Sequence, residues 1–313
     1  MKIVFMGTPD FAVGALEAIV QAGHEVTCVV TQPDKPKGRG KEMQYTPVKE
    51  CARKYQIPVF QPMKIKQPEE IAVLRSYEAD IYVVAAFGQI LSQEILDIPR
   101  FGCVNIHASL LPKYRGAAPI QRALIDGEKE TGVTIMQMNA GLDTGDMLTK
   151  TVVPILDTDT GESLHDKLSA AGAELIVKTL PMIEAGEVIP EKQDDTQSTY
   201  AKMLNKSMGR IDWSRPAVEI ERLVRGLNSW PSAYTSFHGK NLKIWESRIA
   251  REAENGTNAE PGCVVWVDKE SFTVQTGEGA LCITNVQIEG KKRMPVKDFL
   301  LGYKIETGEK LGV

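Results

Sequence analysis

The chain has 313 residues and a mass of 34.5 kDa, with 42% apolar and 25% charged residues. This composition excludes an intrinsically disordered chain and leaves room for two domains. The net charge of -4 argues against a uniformly basic nucleic-acid coat, although one local basic face is compatible with it. Five widely spaced cysteines predict neither a disulfide framework nor a zinc site, and no apolar run is long enough to span a membrane. We therefore expect a cytoplasmic protein.

Strands and helices alternate over the first half of the chain. The apolar run Lys2–Gly7 predicts a buried first strand rather than a signal peptide. The pattern then predicts helices at about 10–22, 47–55, 68–78, 119–127 and 162–185, and strands at about 24–32, 57–62, 80–88, 103–109 and 131–139. Such alternation is typical of an α/β domain with a mostly parallel sheet and helices on both faces, which we expect over residues 1–188.

The residue pattern changes in the second half of the chain. Residues 189–208 are polar without sustained periodicity, which predicts a linker. A helix at about 216–227 is followed by five short β-rich runs between 233 and 290, separated by Gly, Asn and Pro. This spacing predicts a small antiparallel barrel over residues 209–313, and the strand count fits an oligonucleotide-binding (OB)-like barrel.

The first strand-to-helix turn contains a glycine, as a dinucleotide-binding turn does, but its other residues do not match the dinucleotide fingerprint. After Gly7 the dinucleotide fingerprint requires glycine at the second and fifth following positions, which are Pro9 and Ala12 here. The second strand ends in Thr31 and Gln32, without the acidic residue that binds a ribose. We therefore expect this turn to serve packing.

Two other turns fall at the edge of the sheet where ligands bind. A basic insertion, residues 33–47, carries Lys35, Lys37, Arg39 and Lys41 among Pro and Gly, which predicts a mobile exposed loop beside the site that meets a polyanion. Phe87, Gly88 and Gln89 follow a continuous apolar strand, where Gly88 would let a flat heterocycle approach the backbone amides.

The most informative stretch is Cys103–Pro112. Asn105 and His107 lie two residues apart on a predicted strand, so both side chains project to one face and can donate hydrogen bonds to an oxyanion. Asp143 and Asp146 follow the next strand in a glycine-flanked loop, and either carboxylate could orient the imidazole. Amide, imidazole and carboxylate together are typical of acyl-transfer catalysis, whereas Cys103 is expected to be a core residue rather than a nucleophile.

The stretch NIHASLLPKYRGAAPIQRALIDGEKETGVTIMQMNAGLDTGDML resembles the folate-dependent formyltransferase family, and the resemblance covers essentially the whole chain. It implies a Rossmann-like first domain and 10-formyltetrahydrofolate as the formyl donor, without a metal. The catalytic residues implied by the resemblance are Asn105, His107 and Asp143. The folate-binding residues implied are Ser109, Leu110, Leu111 and Pro112, to which we add Phe87, Gly88 and Gln89.

The basic insertion and the barrel favour the members of that family that act on tRNA. The resemblance then implies initiator methionyl-tRNA as the acceptor, with Arg39 as the leading cation and no obligatory protein partner. Further predicted tRNA contacts are Lys35, Lys37, Lys41, Lys206 and Arg210, and barrel cations such as Lys240, Lys243, Lys291, Lys292 and Arg293. The alternatives are another 10-formyltetrahydrofolate-dependent transferase or hydrolase, such as one acting on an amino sugar, and a non-catalytic RNA-binding protein.

Overall fold

The computed structural model describes residues 1–37, 42–254 and 259–312. These residues form two compact units. The first comprises Met1–Pro119, Glu130–Pro154 and His165–Ala201, and the second comprises Ile120–Lys129, Ile155–Leu164 and Lys202–Val313. None of the described helices combines the length and the apolar composition needed to cross a membrane.

The first unit contains a seven-stranded sheet. Its strands are β1 (Lys2–Gly7), β2 (Glu25–Val30), β5 (Val59–Phe60), β6 (Ile81–Ala85), β7 (Cys103–His107), β9 (Glu130–Gln137) and β10 (Met147–Pro154), and β3 (Lys35–Lys37), β4 (Glu42–Gln44), β8 (Arg115–Gly116) and β11 (Tyr200–Ala201) form two small additional sheets. The strand order in the main sheet is β10-β9-β7-β6-β1-β2-β5. The five adjacent strands β7, β6, β1, β2 and β5 run parallel, which confirms the predicted mostly parallel, Rossmann-like sheet.

The described helices of residues 1–185 differ in how they begin. They are α1 (Val13–Gln21), α2 (Pro47–Lys54), α3 (Pro68–Arg75), α4 (Gln93–Leu96), α5 (Pro119–Asp126) and α6 (Gly161–Ala185). Thr46 accepts a hydrogen bond from the Lys49 amide and precedes Pro47, so α2 has both an N-cap and a proline at its first position. Thr160 likewise accepts from the Ser163 amide at the start of α6.

Three elements differ from the predicted pattern. The basic insertion is not simply a loop, because β3 and β4 pair as an antiparallel hairpin. The short helix α4 and the edge strand β10 have no counterpart in the prediction. Polar residues alternate along β10 because it lies at the sheet edge, so the strand lacks the continuous apolar signal of its buried neighbours.

The second unit is built on a six-stranded antiparallel sheet. Its strands are β12 (Ala233–Phe237), β13 (Lys240–Ile249), β14 (Val264–Val267), β15 (Phe272–Gln275), β16 (Ala280–Ile288) and β17 (Met294–Pro295), with helices α7 (Ala217–Gly226) and α8 (Val296–Phe299). The terminal segment accepts and donates backbone hydrogen bonds on both sides: Glu309 accepts from Val264, and Gly312 donates to Ser236 of β12. The antiparallel second domain is confirmed, and its OB-like barrel type stays a prediction.

Gly132 shows how tightly β9 and β10 are packed. A Cβ atom at Gly132 would lie 2.0 Å from the carbonyl oxygen of Thr151 and 2.5 Å from Cδ2 of Leu110. We expect Gly132→Ala to lower the free energy of unfolding by about 1–3 kcal/mol, because a backbone oxygen cannot move aside as a flexible side chain does. Urea unfolding of this variant measures the effect.

Gly14→Ala is the matched control, since Gly14 lies in α1 of the same unit and its Cβ would make only an ordinary contact, 3.4 Å from Oγ of Ser169. Alanine has the higher helix propensity, so this variant should be neutral or more stable. An unfolding midpoint for Gly132→Ala equal to that of the unmodified chain would contradict the packing described.

Candidate active site

The site lies where the chain reverses its direction of travel across the sheet. From β1 the chain moves outward through β2 to β5, and it then returns to place β6 on the other side of β1. In open α/β sheets, ligands bind in the crevice outside the carboxyl ends of the strands at such a switch point. The candidate site therefore lies at the carboxyl ends of β1, β6 and β7.

Strand β7 presents Asn105 and His107 to one face of the sheet. Ile106 points to the opposite face, where a Cβ on Gly172 of α6 would lie 2.9 Å from its Cγ2. Asn105 is half-buried, and its carboxamide makes no hydrogen bond with any residue that the structure describes. A half-buried amide beside a crevice is thus left available to a ligand.

His107 is buried and its ring is oriented by the backbone. Its Nε2 lies 2.9 Å from the carbonyl oxygen of Tyr114, and because a carbonyl only accepts, Nε2 carries a proton. The other nitrogen, Nδ1, lies 3.7 Å from Oδ2 of Asp143, which is too long for a hydrogen bond. Nδ1 is therefore the ring atom that is free to exchange a proton.

Asp143 reaches His107 from a loop that doubles back over the sheet. Strand β9 runs antiparallel to β7, so Gln137 at its end pairs with Val104, at the amino end of β7. The returning loop sets Oδ2 of Asp143 2.8 Å from the amide nitrogen of Gly116, which donates to it. The rival carboxylate, Asp146, directly precedes β10, and its backbone oxygen accepts from the amide of Gln137.

Three non-glycine residues near the site have unfavourable backbone conformations. Ala86, Tyr114 and Asp143 all have left-handed backbone conformations, with φ of 46°, 59° and 52°. Each such residue costs about 1–2 kcal/mol unless its surroundings hold it there. Unfavourable conformations that persist are typical of functional sites.

The Ser109–Pro112 turn is held from inside. The Ser109 hydroxyl is buried and donates to the carbonyl of Lys113 at 2.6 Å, and Leu111 is buried against Met136 and Met147. Leu110 and Pro112 are half-buried. A ligand could therefore meet this turn through its backbone and the exposed parts of Leu110 and Pro112, but not through the Ser109 hydroxyl or the Leu111 side chain.

Residues 87–89, which follow β6, are also held by buried contacts and backbone hydrogen bonds. Phe87 is buried in the core, and the Gln89 side chain binds the backbone of the 62–65 turn, donating to Pro62 and accepting from Ile65 at 2.9 Å each. Gly88 is exposed, with φ of 85°. Only Gly88 thus matches the predicted open approach to the backbone, and Phe87 and Gln89 act by shaping it.

Two residues that the sequence pattern did not single out hold this segment. Thr8 donates from Oγ1 to the carbonyl oxygen of Phe87 at 2.8 Å, and Gln32 donates from Nε2 to the same oxygen at 3.3 Å. Both follow the ends of β1 and β2. Their position at the ligand-binding edge is the signal that could have identified them.

The basic hairpin is anchored at its base. Lys49 of α2 pairs with Asp34, and Gln61 donates to Asp34 Oδ1 at 2.9 Å. Burial opposes ionisation of Asp34, but the hydrogen bonds from Lys49 and Gln61 outweigh it and hold the pKa of this carboxyl below its ordinary value. Lys35 is exposed on β3 and Lys37 ends that strand, whereas Arg39 and Lys41 lie outside the described residues.

The other predicted cations lie in the second unit. Lys206, Arg210, Lys240, Lys291 and Lys292 are exposed. Lys243 and Arg293 instead lie over the ring of Trp245, at 5.6 and 5.0 Å from its centroid, and Arg293 also pairs with Glu246. The Trp245 ring therefore holds two of the predicted cations in place.

Other chemistries find little support in the described parts of the chain. No group of three or more His, Cys, Asp or Glu side chains there could hold a metal ion. Burial raises the pKa of the Cys103 thiol well above its ordinary value, so this sulfur stays protonated and unreactive. Cys103 is therefore part of the core, as the strand pattern predicts.

Comparison with known proteins agrees with this geometry. Residues 1–180 match the formyl transferase family, and residues 203–304 match the formyl transferase C-terminal domain. Methionyl-tRNA formyltransferase of Agathobacter rectalis is 57% identical over 308 residues, which are 98% of both chains, and that of Bacillus subtilis is 50% identical over 100% of this chain and 98% of its own.

A solved structure shares the fold at low identity. The N-formyltransferase from Helicobacter canadensis, in complex with folinic acid and dTDP-3-aminofucose, superposes with a TM-score of 0.65 at 21% identity. The match covers 90% of this chain and 98% of that one. At this identity the likeness supports the architecture of the chain.

Proposed function

The chain belongs to the formyl transferase family, and we propose that it transfers the formyl group of 10-formyltetrahydrofolate to the amino group of methionyl initiator tRNA. The product is N-formylmethionyl-tRNA, which begins translation. The observation that carries this conclusion is the match of the whole chain to relatives that bear the name of this activity. With five free cysteines and no disulfide among the described residues, we assign the enzyme to the cytoplasm.

The residues at the switch point fit a flat folate donor. Gly88 leaves the backbone approachable after β6, and the Ser109–Pro112 turn follows β7 on the same edge. The uncommitted Asn105 amide is carried by β7, which pairs with β6. We propose that the pteridine-bearing donor contacts the backbone at Gly88 and at this turn, while the buried side chains of Phe87 and Leu111 support those segments.

Asn105, His107 and Asp143 have different proposed roles in the reaction. When bound, 10-formyltetrahydrofolate supplies a formyl group whose oxygen becomes negative as the methionine amine adds to its carbon. We propose that Asn105 donates its amide hydrogen to that oxygen, as a preorganised donor does in an oxyanion hole. Since Nε2 of His107 is committed to Tyr114, the proton on Nδ1 is the one that stabilises the oxyanion and passes to N10 as the bond between N10 and the formyl carbon breaks. Nδ1 then takes up the proton that the methionine amine releases, which restores the charged ring.

Asp143 completes this arrangement electrostatically. Its Oδ2 faces Nδ1 of His107, so the carboxylate stabilises the charged ring whenever Nδ1 carries a proton. The 3.7 Å separation leaves Nδ1 uncommitted, which a proton carrier requires. The exposed cations of the hairpin and of the second unit, from Lys35 to Lys206 and Arg210, are the proposed contacts for tRNA phosphates.

The test is transfer of labelled formyl from 10-formyltetrahydrofolate to methionyl-tRNA by the purified chain, with free methionine and a dTDP-amino sugar as alternative acceptors. Transfer to methionyl-tRNA alone supports the proposed function. Transfer to the amino sugar alone would establish the alternative, and no transfer to any acceptor would refute both.

Phosphate contacts make binding dependent on salt. We expect the logarithm of the tRNA association constant to fall linearly with the logarithm of salt concentration, because bound cations release counterions from the phosphates. Lys206→Ala should flatten that slope by about 0.7–0.9, the contribution of one phosphate contact. Lys206→Arg keeps the charge and should leave the slope unchanged. Binding that is insensitive to salt would contradict an interface led by phosphates.

A further inference from the structure

Part of the segment predicted to be a linker contacts the loops that carry Asp143 and Tyr114. We call residues 191–201 the strap. At one end Met147 and Glu191 exchange backbone hydrogen bonds of 2.8 and 2.9 Å. At the other end β11 of the strap pairs in parallel with β8, which precedes α5. The strap therefore joins the loop that carries Asp143 to the segment that contacts His107.

Gln193 of the strap grips the Asp143 loop directly. Its amide nitrogen donates to the carbonyl oxygens of Asp143 and Gly145, at 2.7 and 2.8 Å. Its amide oxygen accepts from Nε of Arg115 at 2.9 Å. Both hydrogens of the amide group and its oxygen are thus in use.

Arg115 fixes the orientation of that amide. A guanidinium group only donates, so the oxygen of Gln193 faces Arg115 and the NH₂ group faces the loop. Nη2 of Arg115 donates in turn to Asp195 at 2.7 Å, and the Arg115 side chain is only 12% exposed. The hydrogen bonds from Arg115 to Asp195 and to Gln193 therefore fix the Gln193 side chain that binds the Asp143 loop.

The same elements hold the groups that Asp143 and His107 depend on. Gly116, next to Arg115, donates to the Asp143 carboxylate at 2.8 Å. Tyr114, whose carbonyl orients His107, donates its amide hydrogen to Oγ1 of Thr199 in the strap at 2.8 Å. The strap and β8 thus hold both partners of the 3.7 Å pair.

We propose that Gln193 is a positioning residue for formyl transfer. It holds Asp143 in its left-handed backbone conformation, and this conformation aims the carboxylate at Nδ1 of His107. Gln193 itself touches no reacting atom in this arrangement. The inference rests on the proposed function, because it assigns Gln193 a role in that reaction.

Gln193→Met tests the role, since Met has a similar length and shape but no hydrogen-bond donor. We expect kcat to fall by about 10²-fold, the usual effect of displacing a catalytic group by about an ångström. The KM values for methionyl-tRNA and 10-formyltetrahydrofolate should stay unchanged. The unfolding midpoint should fall by a few degrees, because Nε of Arg115 and two backbone carbonyl oxygens lose their partner, so kcat is measured at a temperature at which the variant is fully folded. Gln197→Met is the matched control: Gln197 lies in the same segment, and its amide donates to the side chain of Asp194 and to no other described residue.

A double-mutant cycle separates positioning from general destabilisation. In the Asp143→Asn background, Gln193→Met should produce no further loss of single-turnover rate, because the group that Gln193 positions is already disabled. Gln193→Glu, which keeps the oxygen facing Arg115 but lacks the donor, should behave as Gln193→Met does. Losses that multiply in the double mutant, a kcat equal to that of Gln197→Met, or recovery of the full kcat on cooling to a temperature at which Gln193→Met is fully folded would each overturn the inference. Failure of the proposed function itself is distinct, since the unmodified chain would then transfer no formyl group to methionyl-tRNA.

Discussion

Asn105→Ala is expected to lose about 10²- to 10³-fold in kcat while it keeps its fold and its affinity for both substrates. The amide of Asn105 has no hydrogen-bond partner among the described residues, so its removal leaves no unpaired protein group behind. The loss falls on the transition state, where the formyl oxygen is negative and most needs a donor. Single-turnover formylation at saturating tRNA and folate measures the chemical step directly.

Asn105→Asp is the companion variant, because it keeps the size of the side chain and exchanges the donor for an acceptor. It should be at least as impaired as Asn105→Ala, since a carboxylate faces the developing negative charge. Unfolding midpoints and tRNA dissociation constants of both variants serve as controls and should match those of the unmodified chain. A near-normal single-turnover rate for Asn105→Ala would remove Asn105 from the proposed mechanism.

The position of Asn105 and His107 was predictable because it depends only on local periodicity. Two side chains that lie two residues apart on a strand face the same side of the sheet, whatever the rest of the fold is. The apolar runs of β1, β6 and β7 predict buried parallel strands for an equally local reason, and Thr46 with Pro47 predicts the start of α2. Each of these predictions rests on a few consecutive residues.

The support of the site was not predictable in the same way. Asp143 reaches His107 only because β9 is antiparallel to β7 and the following loop folds back, and neither strand direction nor loop path is encoded in the periodicity of β9. Gln193 lies 50 residues from Asp143 in a polar stretch without a pattern, which resembles a linker. Its hydrogen bonds go to backbone carbonyls, and these offer no side-chain signal at the other end.

Residue type and spacing alone could not choose between Asp143 and Asp146, although the family resemblance implied Asp143. Both lie in the same loop three residues apart, and residue type alone cannot rank them. The geometry sets Oδ2 of Asp143 beside Nδ1 of His107 and leaves the Asp146 backbone in the pairing of β9 with the following strand. The two carboxylates therefore make a matched pair for mutagenesis.

Asp143→Asn is expected to lower kcat by about 10²- to 10⁴-fold, the range for removing assistance to proton transfer. Asparagine keeps an oxygen that can accept from the Gly116 amide, so the loop should retain its path. What it lacks is the charge that stabilises a protonated His107 ring. The loss should therefore appear in kcat, with little change in either KM.

Asp146→Asn is the control, because Asp146 binds Gln137 through its backbone oxygen, which the substitution leaves in place. We expect a kcat within about twofold of the unmodified chain, in keeping with a side chain outside the reaction. Measuring both variants in one single-turnover experiment separates the loss of a general negative charge in this loop from the loss of one at Nδ1. Equal impairment of the two would show that the loop's total charge matters rather than the pairing of Asp143 with His107, and impairment of Asp146→Asn alone would transfer the role to Asp146.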